Sequence, residues 1–240
     1  MFYRLSLNQA NKENMDYGWQ SYTAWTAYFD LLGFKNKLEE LSLPLLQLKV
    51  DEIVNDFHKE VNEFEKNVDS LFYADTFIFF SKSDDDKHYP GILHGATHFL
   101  EKCISKGIAL RGAISFGEIA VREDKTIVIG NAFLDSHNYA ENSNWLGLIL
   151  TPTASKRVKE MGLDPIRHGF IYGEIPWRNG SKLKGDVHAY SFCRGVTNFD
   201  SPLLPQLESM QLVAPEEAKE KYEQTIRFIG KHWRKSPAMP

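Results

Sequence analysis

Two short aromatic runs, Ser70-Leu71-Phe72-Tyr73 and Thr76-Phe77-Ile78-Phe79-Phe80, are separated by only Ala74-Asp75. Aromatic and β-branched residues favour strands, and a two-residue gap between strands closes only as a tight hairpin. The chain must therefore build a sheet around an antiparallel pair with Asp75 at its tip. The flanking segments have a different period. Gln47 to Lys66 sets Leu48, Ile53, Val54, Phe57, Val61 and Phe64 at helical spacing, and Pro90 to Lys106 reads as a second helix stopped by Gly107. Upstream, Ala24 to Phe29 reads as a strand that runs through Asp30 into a turn at Gly33, after a polar, irregular stretch from Met1 to Tyr22.

Beyond Gly107 the pattern predicts a strand from Ile108 to Phe116, a hairpin return through Glu118 to Val121, and a strand from Thr126 to Ile129. A helix from Asn131 to Asn142 follows Gly130, then a strand from Leu146 to Leu150 and a helix opened by Thr151-Pro152, a capping residue followed by a proline at the first position. Short strands near Phe170 to Tyr172 and Val187 to Phe192, a proline-punctuated linker from Leu203 to Met210 and an amphipathic helix from Pro215 to Trp233 complete the chain. One sheet fed by both hairpins and crossover helices is an α+β or α/β sandwich and not a doubly wound fold.

Composition narrows the function classes. A hydrophobic fraction of 42% with 25% charged residues is ordinary for a globular chain, and the formal net charge of −4 gives no basic field for a nucleic-acid duplex. Apolar runs such as Leu146 to Leu150 fall far short of the roughly 20 residues that span a bilayer, so membrane insertion is not expected. Met1 to Asn14 lacks the apolar core of a secretory signal, and Cys103 and Cys193 make neither a disulfide framework nor a multi-cysteine metal site. The cytoplasm is the expected location. No G-x-x-x-x-G-K-[ST] loop occurs, Ser115 lacks the G-x-S-x-G elbow, and His94 and His98 have zinc-ligand spacing but no accompanying ligands.

The chemistry points to two aspartates at the ends of sheet elements, Asp30 and Asp75. Mg²⁺ and Mn²⁺ take oxygen ligands, typically one or two carboxylates completed by substrate phosphates. The turn Leu31 to Lys35, with Leu32, Gly33 and Phe34, would aim backbone N–H groups at a phosphate. Taken singly, each aspartate also has a structural reading, Asp30 as a helix cap and Asp75 as a turn residue.

In order along the chain, Ala27-Tyr28-Phe29-Asp30-Leu31-Leu32-Gly33-Phe34, Tyr73-Ala74-Asp75, Leu110-Arg111-Gly112-Ala113-Ile114-Ser115-Phe116-Gly117 and Ile129-Gly130 resemble the class III nucleotidyl cyclase catalytic domain. That family shows an F-x-D-[IL]-x-G-F strand-turn, a G-D hairpin, an R-x-G-x-x-x-G strand and a Gly-opened helix. Here Tyr28 replaces the Phe, Ala74 the hairpin Gly, and Ala113 the first strand Gly, with Gly112 one position early. The resemblance implies an α+β fold with a ferredoxin-like βααββαβ core plus C-terminal strands and a helix. It implies a catalytic domain over 23–195, between an N-terminal extension (1–22) and a C-terminal linker and helix (196–240). It further implies a homodimer with sites in the interface, a nucleoside triphosphate substrate, and two divalent ions per site on Asp30 and Asp75 with the Leu31 carbonyl as auxiliary ligand.

The family's helix Asn and Arg, which touch ribose and α-phosphate, are replaced by Leu134 and Asn138. Positive charge must then come from elsewhere. Arg111 is one candidate, against the alternative that it holds an acid across the sheet. Lys184 in Lys182-Leu183-Lys184-Gly185 resembles the family's phosphate lysine, and Arg178 competes for that role, with a solvated loop as the alternative for both. The positions that select a purine base hold Leu71 and Ile127, with Phe72 and Tyr73 adding bulk, and an apolar pair cannot make the hydrogen bonds that distinguish adenine from guanine. With Trp145-Leu146-Gly147-Leu148-Ile149-Leu150-Thr151-Pro152 and Ile175-Pro176-Trp177, this resembles the bacterial anti-phage pyrimidine cyclases, which make cyclic UMP or cyclic CMP for a separate effector protein. A purine cyclase and a catalytically silent nucleotide sensor of the same fold are the competing readings.

Overall fold

The computed structural model of the chain describes residues 18–33, 42–64, 68–124, 127–172, 175–181, 183, 185–192 and 203–232. Period-two alternation sets the central strand. β1 (Trp19–Leu31) sends Trp25, Ala27, Phe29 and Leu31 into the main core, while Ala24 joins a smaller cluster with Phe80, Ile119, Val121 and Ala132. β1 pairs antiparallel with β3 (Thr76–Ser81) on one side and with β4 (Leu110–Arg122) on the other. The hairpin partner of β3 is β2 (Val68–Tyr73). Beyond β4 come β6 (Leu148–Leu150), parallel to it, then β8 (His188–Tyr190) and β7 (Phe170–Tyr172), giving the order β2-β3-β1-β4-β6-β8-β7. β5 (Val128–Ile129) adds to the far end of β4.

α1 (Leu43–Phe64) and α2 (His88–Ser105) cover the aromatic face of the sheet. Phe57 of α1 stacks on Phe79 at 3.8 Å between centroids, and Phe99 of α2 meets Phe29 at 5.1 Å and Phe79 at 5.0 Å. Rings of this size bury the most apolar area per residue, so this quartet dominates the packing energy of the layer. Gly112 is needed here, because a Cβ on it would lie 2.5 Å from the Phe29 ring. The glycine one position early thus has a packing reason of its own. α3 (Asn131–Asn142) packs on the opposite face, with Phe133 and His137 edge-on to Tyr28. It starts at Gly130 (φ 147°), where a Cβ would sit 2.3 Å from the Glu118 carbonyl oxygen. α4 (Pro152–Glu160) is capped by Thr151, whose hydroxyl accepts from the Ala154 N–H, and a short 3₁₀ turn (Pro165–His168) leads to β7.

The α+β expectation and the hairpin at Ala74-Asp75 hold. Three readings change. β1 already begins at Trp19, inside the stretch read as irregular. β4 does not turn at Gly117 but continues to Arg122, because every residue from Leu110 onward pairs with β1 back to Trp19, so Glu118 to Val121 continue the same strand. Leu203 to Met210 is not a linker: it lies largely within α5 (Leu204–Val213), which buries Leu207 and Met210 and tolerates Pro205 in its first turn, where no intrahelical N–H bond is lost. The final helix, α6 (Glu216–His232), lies on the core through Tyr222, Thr225, Phe228 and Ile229. Phe228 meets Trp145 at 4.6 Å, and the Leu146 N–H donates to the Thr225 hydroxyl at 2.7 Å. Among the described residues no helix is long and apolar enough to cross a membrane.

Candidate functional site

The β1–β3–β4 register brings the two aspartates together. Asp30 lies opposite Thr76 on β3 and opposite Arg111 on β4. One step further, the Leu31 N–H donates to the Asp75 carbonyl at 2.8 Å, tying the hairpin tip to the end of β1. The tip itself carries Ala74 at φ 55°, a left-handed position that the family's glycine would occupy without strain. Asp75 is half-buried there.

Arg111 is 2% exposed and is held on several sides. Its Nε and Nη2 donate to Asp30 Oδ2 at 3.0 and 2.8 Å, Nη2 also donates to Glu141 Oε1 at 2.6 Å, and Nη1 donates to the carbonyls of Glu141 at 3.1 Å and Ser143 at 3.2 Å. Glu141 Oε2 lies 3.7 Å from Arg178. The planar fork of an arginine fits this set as a lysine could not. Its bonds all run to protein acceptors, which matches the reading of a strand arginine holding an acid across the sheet.

Asp30 and Glu141 share one buried guanidinium, and burial weighs on both carboxylates. Burial pushes the Asp30 carboxyl up to about 6, with Glu141 adding to the rise and Arg111 opposing it. Burial also works against the Glu141 carboxylate, but Arg111, a hydrogen bond with Asp30 and the charge of Arg178 outweigh it and hold Glu141 below its ordinary value. The two shifts describe one event: the pair's proton resides on Asp30 and is donated to Glu141.

The remaining sequence-predicted residues scatter. Leu32 and Gly33 follow Asp30 in the turn, with Gly33 at φ 71°. The Leu31 and Leu32 N–H groups are spent on Asp75 and on Ala109, so they cannot cradle a phosphate, which corrects that part of the turn's expected role. Phe34 and Lys184 lie outside the described residues, as do Lys182 and Cys193. Asn138 is exposed on α3, and Arg178 is exposed but near Glu141. Tyr73 stands 85% exposed beside the tip. Leu71 packs against the smaller cluster together with Val128, and Ile127, whose carbonyl accepts from the Arg122 N–H, is exposed toward the far end of β4 from Asp30. His94 and His98 stack at 6.2 Å on α2, and among the described residues no three His, Cys, Asp or Glu side chains form a metal cluster.

Two residues near the site had no sequence signal. Glu141 ends α3, and its link to Arg111 exists only once α3 packs beside β4. Lys221 of α6 feels the charges of Arg111, Arg178 and Asp30. Two clefts flank the sheet. One of about 410 Å³ is lined by Tyr22, Glu118, Ile119, Ile129, Gly130 and Asn131; the other, about 310 Å³, opens beside Leu32, Gly33 and Lys221. The larger is remote from the aspartates, and the charge cluster, not size, identifies the site.

No protein-family profile and no curated protein sequence matches the chain. Solved structures do match its fold. The catalytic core of a rhodopsin-guanylyl cyclase with converted specificity, in complex with ATPαS, is similar with a TM-score of 0.55 at 14% identity, over 72% of this chain and 96% of that one. The guanylyl cyclase Cya2 is similar at 0.54 and 14%, over 77% and 99%. The adenylyl cyclase CyaB from P. aeruginosa is similar at 0.50 and 13%, over 71% and 94%. The mixed sheet with its helices therefore has the fold of class III cyclase catalytic domains.

Proposed function

We propose that the chain is a metal-dependent nucleotidyl cyclase that converts a pyrimidine nucleoside triphosphate, UTP before CTP, into the 3′,5′-cyclic monophosphate and pyrophosphate. The observation that carries this reading is the meeting of Asp30 and Asp75 at adjacent ladder positions of a cyclase-type sheet. The donor set fits a hard divalent cation: the Asp30 and Asp75 carboxylates and the Leu31 carbonyl are all oxygen ligands. Asp30 and Asp75, with the Leu31 carbonyl, would hold two such ions. When bound, these supply Lewis acidity toward the ribose 3′-hydroxyl and charge neutralisation for the departing pyrophosphate.

The chain's own residues set the geometry. Arg111 fixes the Asp30 carboxylate through one oxygen and is assigned the positioning of Asp30 rather than contact with phosphate. Glu141 accepts the Asp30 hydrogen bond, and because Glu141 is itself held below its ordinary value, the proton leaves the pair for solvent when Asp30 ionises. In the displacement itself the 3′-oxygen forms a bond to the α-phosphorus as the bond to the β-phosphate oxygen breaks, and the hydroxyl proton passes to solvent. Lys184 and Arg178 remain candidates for the phosphate charge, and Asn138 for a neutral contact to the substrate.

The pyrimidine preference rests on Leu71 and Ile127, side chains without hydrogen-bonding atoms where purine cyclases carry polar partners. Large apolar side chains left exposed at Trp19, Phe72, Tyr73, Ile127 and Ile129 support a homodimer. The resemblance to anti-phage pyrimidine cyclases supports a cytoplasmic signalling role with a separate cyclic-nucleotide-responsive effector. A purine substrate is the competing reading, since the similar solved structures are named as guanylyl and adenylyl cyclases. Mass spectrometry of products after incubation with equal ATP, GTP, CTP and UTP plus Mn²⁺ separates the readings. A cyclic pyrimidine is expected, a cyclic purine overturns the base assignment alone, and no product overturns the activity.

A further inference from the structure

We propose that Lys221, on the C-terminal helix α6 and beyond the stretch where the sequence resembles cyclases, binds the β- and γ-phosphates of the nucleotide in the cavity between Leu32-Gly33 and α6. The inference rests on the cyclase reading above and adds a residue to its site. The cavity, about 310 Å³, opens directly after Asp30 in the chain, since Leu32 and Gly33 form one wall while Glu217, Lys221 and Tyr222 of α6 line the other. That volume suits a polyphosphate tail rather than a whole nucleotide.

The charge at Lys221 lacks an obvious counterpart. Among the described residues it makes no ion pair, although Glu217 stands one turn earlier on the same helix and α6 forms such pairs elsewhere, at Lys219–Glu216 and Arg227–Glu223. Burial disfavours its ammonium, and Arg111 and Arg178 repel it, while Glu220 and Asp30 draw it only partly back. A partly desolvated cation beside two arginines costs free energy unless an anion joins them. Asp30 and Glu141 are already committed to Arg111, and neither Glu217 in the cavity wall nor Glu220 makes an ion pair with Lys221 among the described residues, so a bound anion would complete the charge balance.

The helix is built to hold the lysine there. The Thr225 hydroxyl donates to the Lys221 carbonyl at 2.8 Å and accepts from the Leu146 N–H at 2.7 Å, which locks this turn of α6 to the approach of β6. Phe228 against Trp145 and the buried Tyr222 fix the same face. A lysine on a locked turn, with its head toward a cavity beside the catalytic carboxylates, can supply the positive charge that Asn138 does not.

The test uses the full chain with Mn²⁺ and inorganic tripolyphosphate as probe, read by calorimetry, alongside product formation from the four triphosphates. Lys221→Met should weaken tripolyphosphate binding on the order of tenfold, the loss of one charge-assisted phosphate contact, and Lys221→Arg should keep most of it. Lys221→Gln, which keeps the stem and a polar head, reads the same loss if the Met variant does not fold. Unchanged binding in the charge-removing variants, or no binding by the parent chain, overturns the inference. A parent chain that cyclises a nucleotide while Lys221→Met binds tripolyphosphate equally well leaves the function standing and removes only Lys221. A parent chain that cyclises nothing while its tripolyphosphate binding depends on Lys221 removes the function and keeps the phosphate site.

Discussion

The two faces of β1 follow different rules. On one face Trp25, Ala27, Phe29 and Leu31 enter a core of aromatic and aliphatic side chains, where any residue of similar volume and polarity would pack. On the other face the strand runs from Ala24 to Asp30, and its last residue depends on Arg111 and Glu141, groups supplied by two separate elements. The first face is held by non-directional burial and the second by directed bonds among charges. Stability therefore belongs mainly to one side of the strand and the proposed chemistry to the other.

Neighbouring substitutions break this comparison most sharply. Phe29→Ala removes a ring from the quartet with Phe79 and Phe99 and should cost about 3–5 kcal/mol in urea unfolding. Asp30→Asn, one residue along, should leave the unfolding midpoint near that of the parent while lowering cyclase turnover by at least about a hundredfold, or about 3 kcal/mol at the barrier. A fully active Asp30→Asn protein would remove the chemical role of that face.

Arg111→Met tests whether the polar face also carries structural weight. It strands two partly buried carboxylates, and breaking a buried pair in this way costs about 3–5 kcal/mol. Combining it with Asp30→Asn and Glu141→Gln should recover most of that loss, because no uncompensated charge is left. If the triple variant is no more stable than Arg111→Met alone, the cost comes from lost packing of the arginine stem and not from charge.

The contrast between the faces also sets what could be read from the sequence. Hydrophobic alternation and a two-residue gap were enough for the hairpin, and Gly130 with the pattern after it was enough for α3, whose span matches the reading from Asn131 to Asn142. These depend on neighbours in sequence. The continuation of β4 past Gly117 depends on β1 offering an equally long partner, and α5 depends on a core that Leu207 and Met210 can enter. Asp30 and Asp75 were legible through a resemblance of motifs, while Glu141 and Lys221 reach the site only through packing between elements distant in the chain. Charge near an active site is a tertiary property, and a single sequence carries little trace of it.

Acid sharpens the comparison further. The folded Asp30 carboxyl keeps its proton up to about 6, whereas its ordinary value is 3.8, so between these values the folded state binds more protons than the unfolded one. This group's contribution to stability is therefore present below about 3.8 and is lost as the pH rises through about 6. Glu141, held low, contributes in the opposite sense, with stability lost as the pH falls through its folded value. The difference in melting temperature between the parent and Asp30→Asn should accordingly change between pH 4 and 7, while Phe29→Ala should show no such dependence of its own. Mn²⁺ affinity should weaken below about pH 6, since proton and metal compete for the same carboxylate. An affinity flat from pH 5 to 7 would take Asp30 out of the proposed metal site.

The smallest effect is expected at the hairpin tip. Ala74 sits at φ 55°, where a Cβ costs roughly 1–2 kcal/mol, and glycine would relieve that strain. Against it stands the greater freedom of glycine in the unfolded chain, about 0.5–1 kcal/mol. The strain term is the larger, so Ala74→Gly should stabilise the protein by roughly 0.5–1 kcal/mol in urea unfolding. Because the Asp75 carbonyl is tied to Leu31 whatever stands at position 74, activity should stay near that of the parent. A stabilised but inactive Ala74→Gly protein would mean that the strained tip itself sets the direction of the Asp75 carboxylate, and would move the hairpin from the structural side of the comparison to the chemical one.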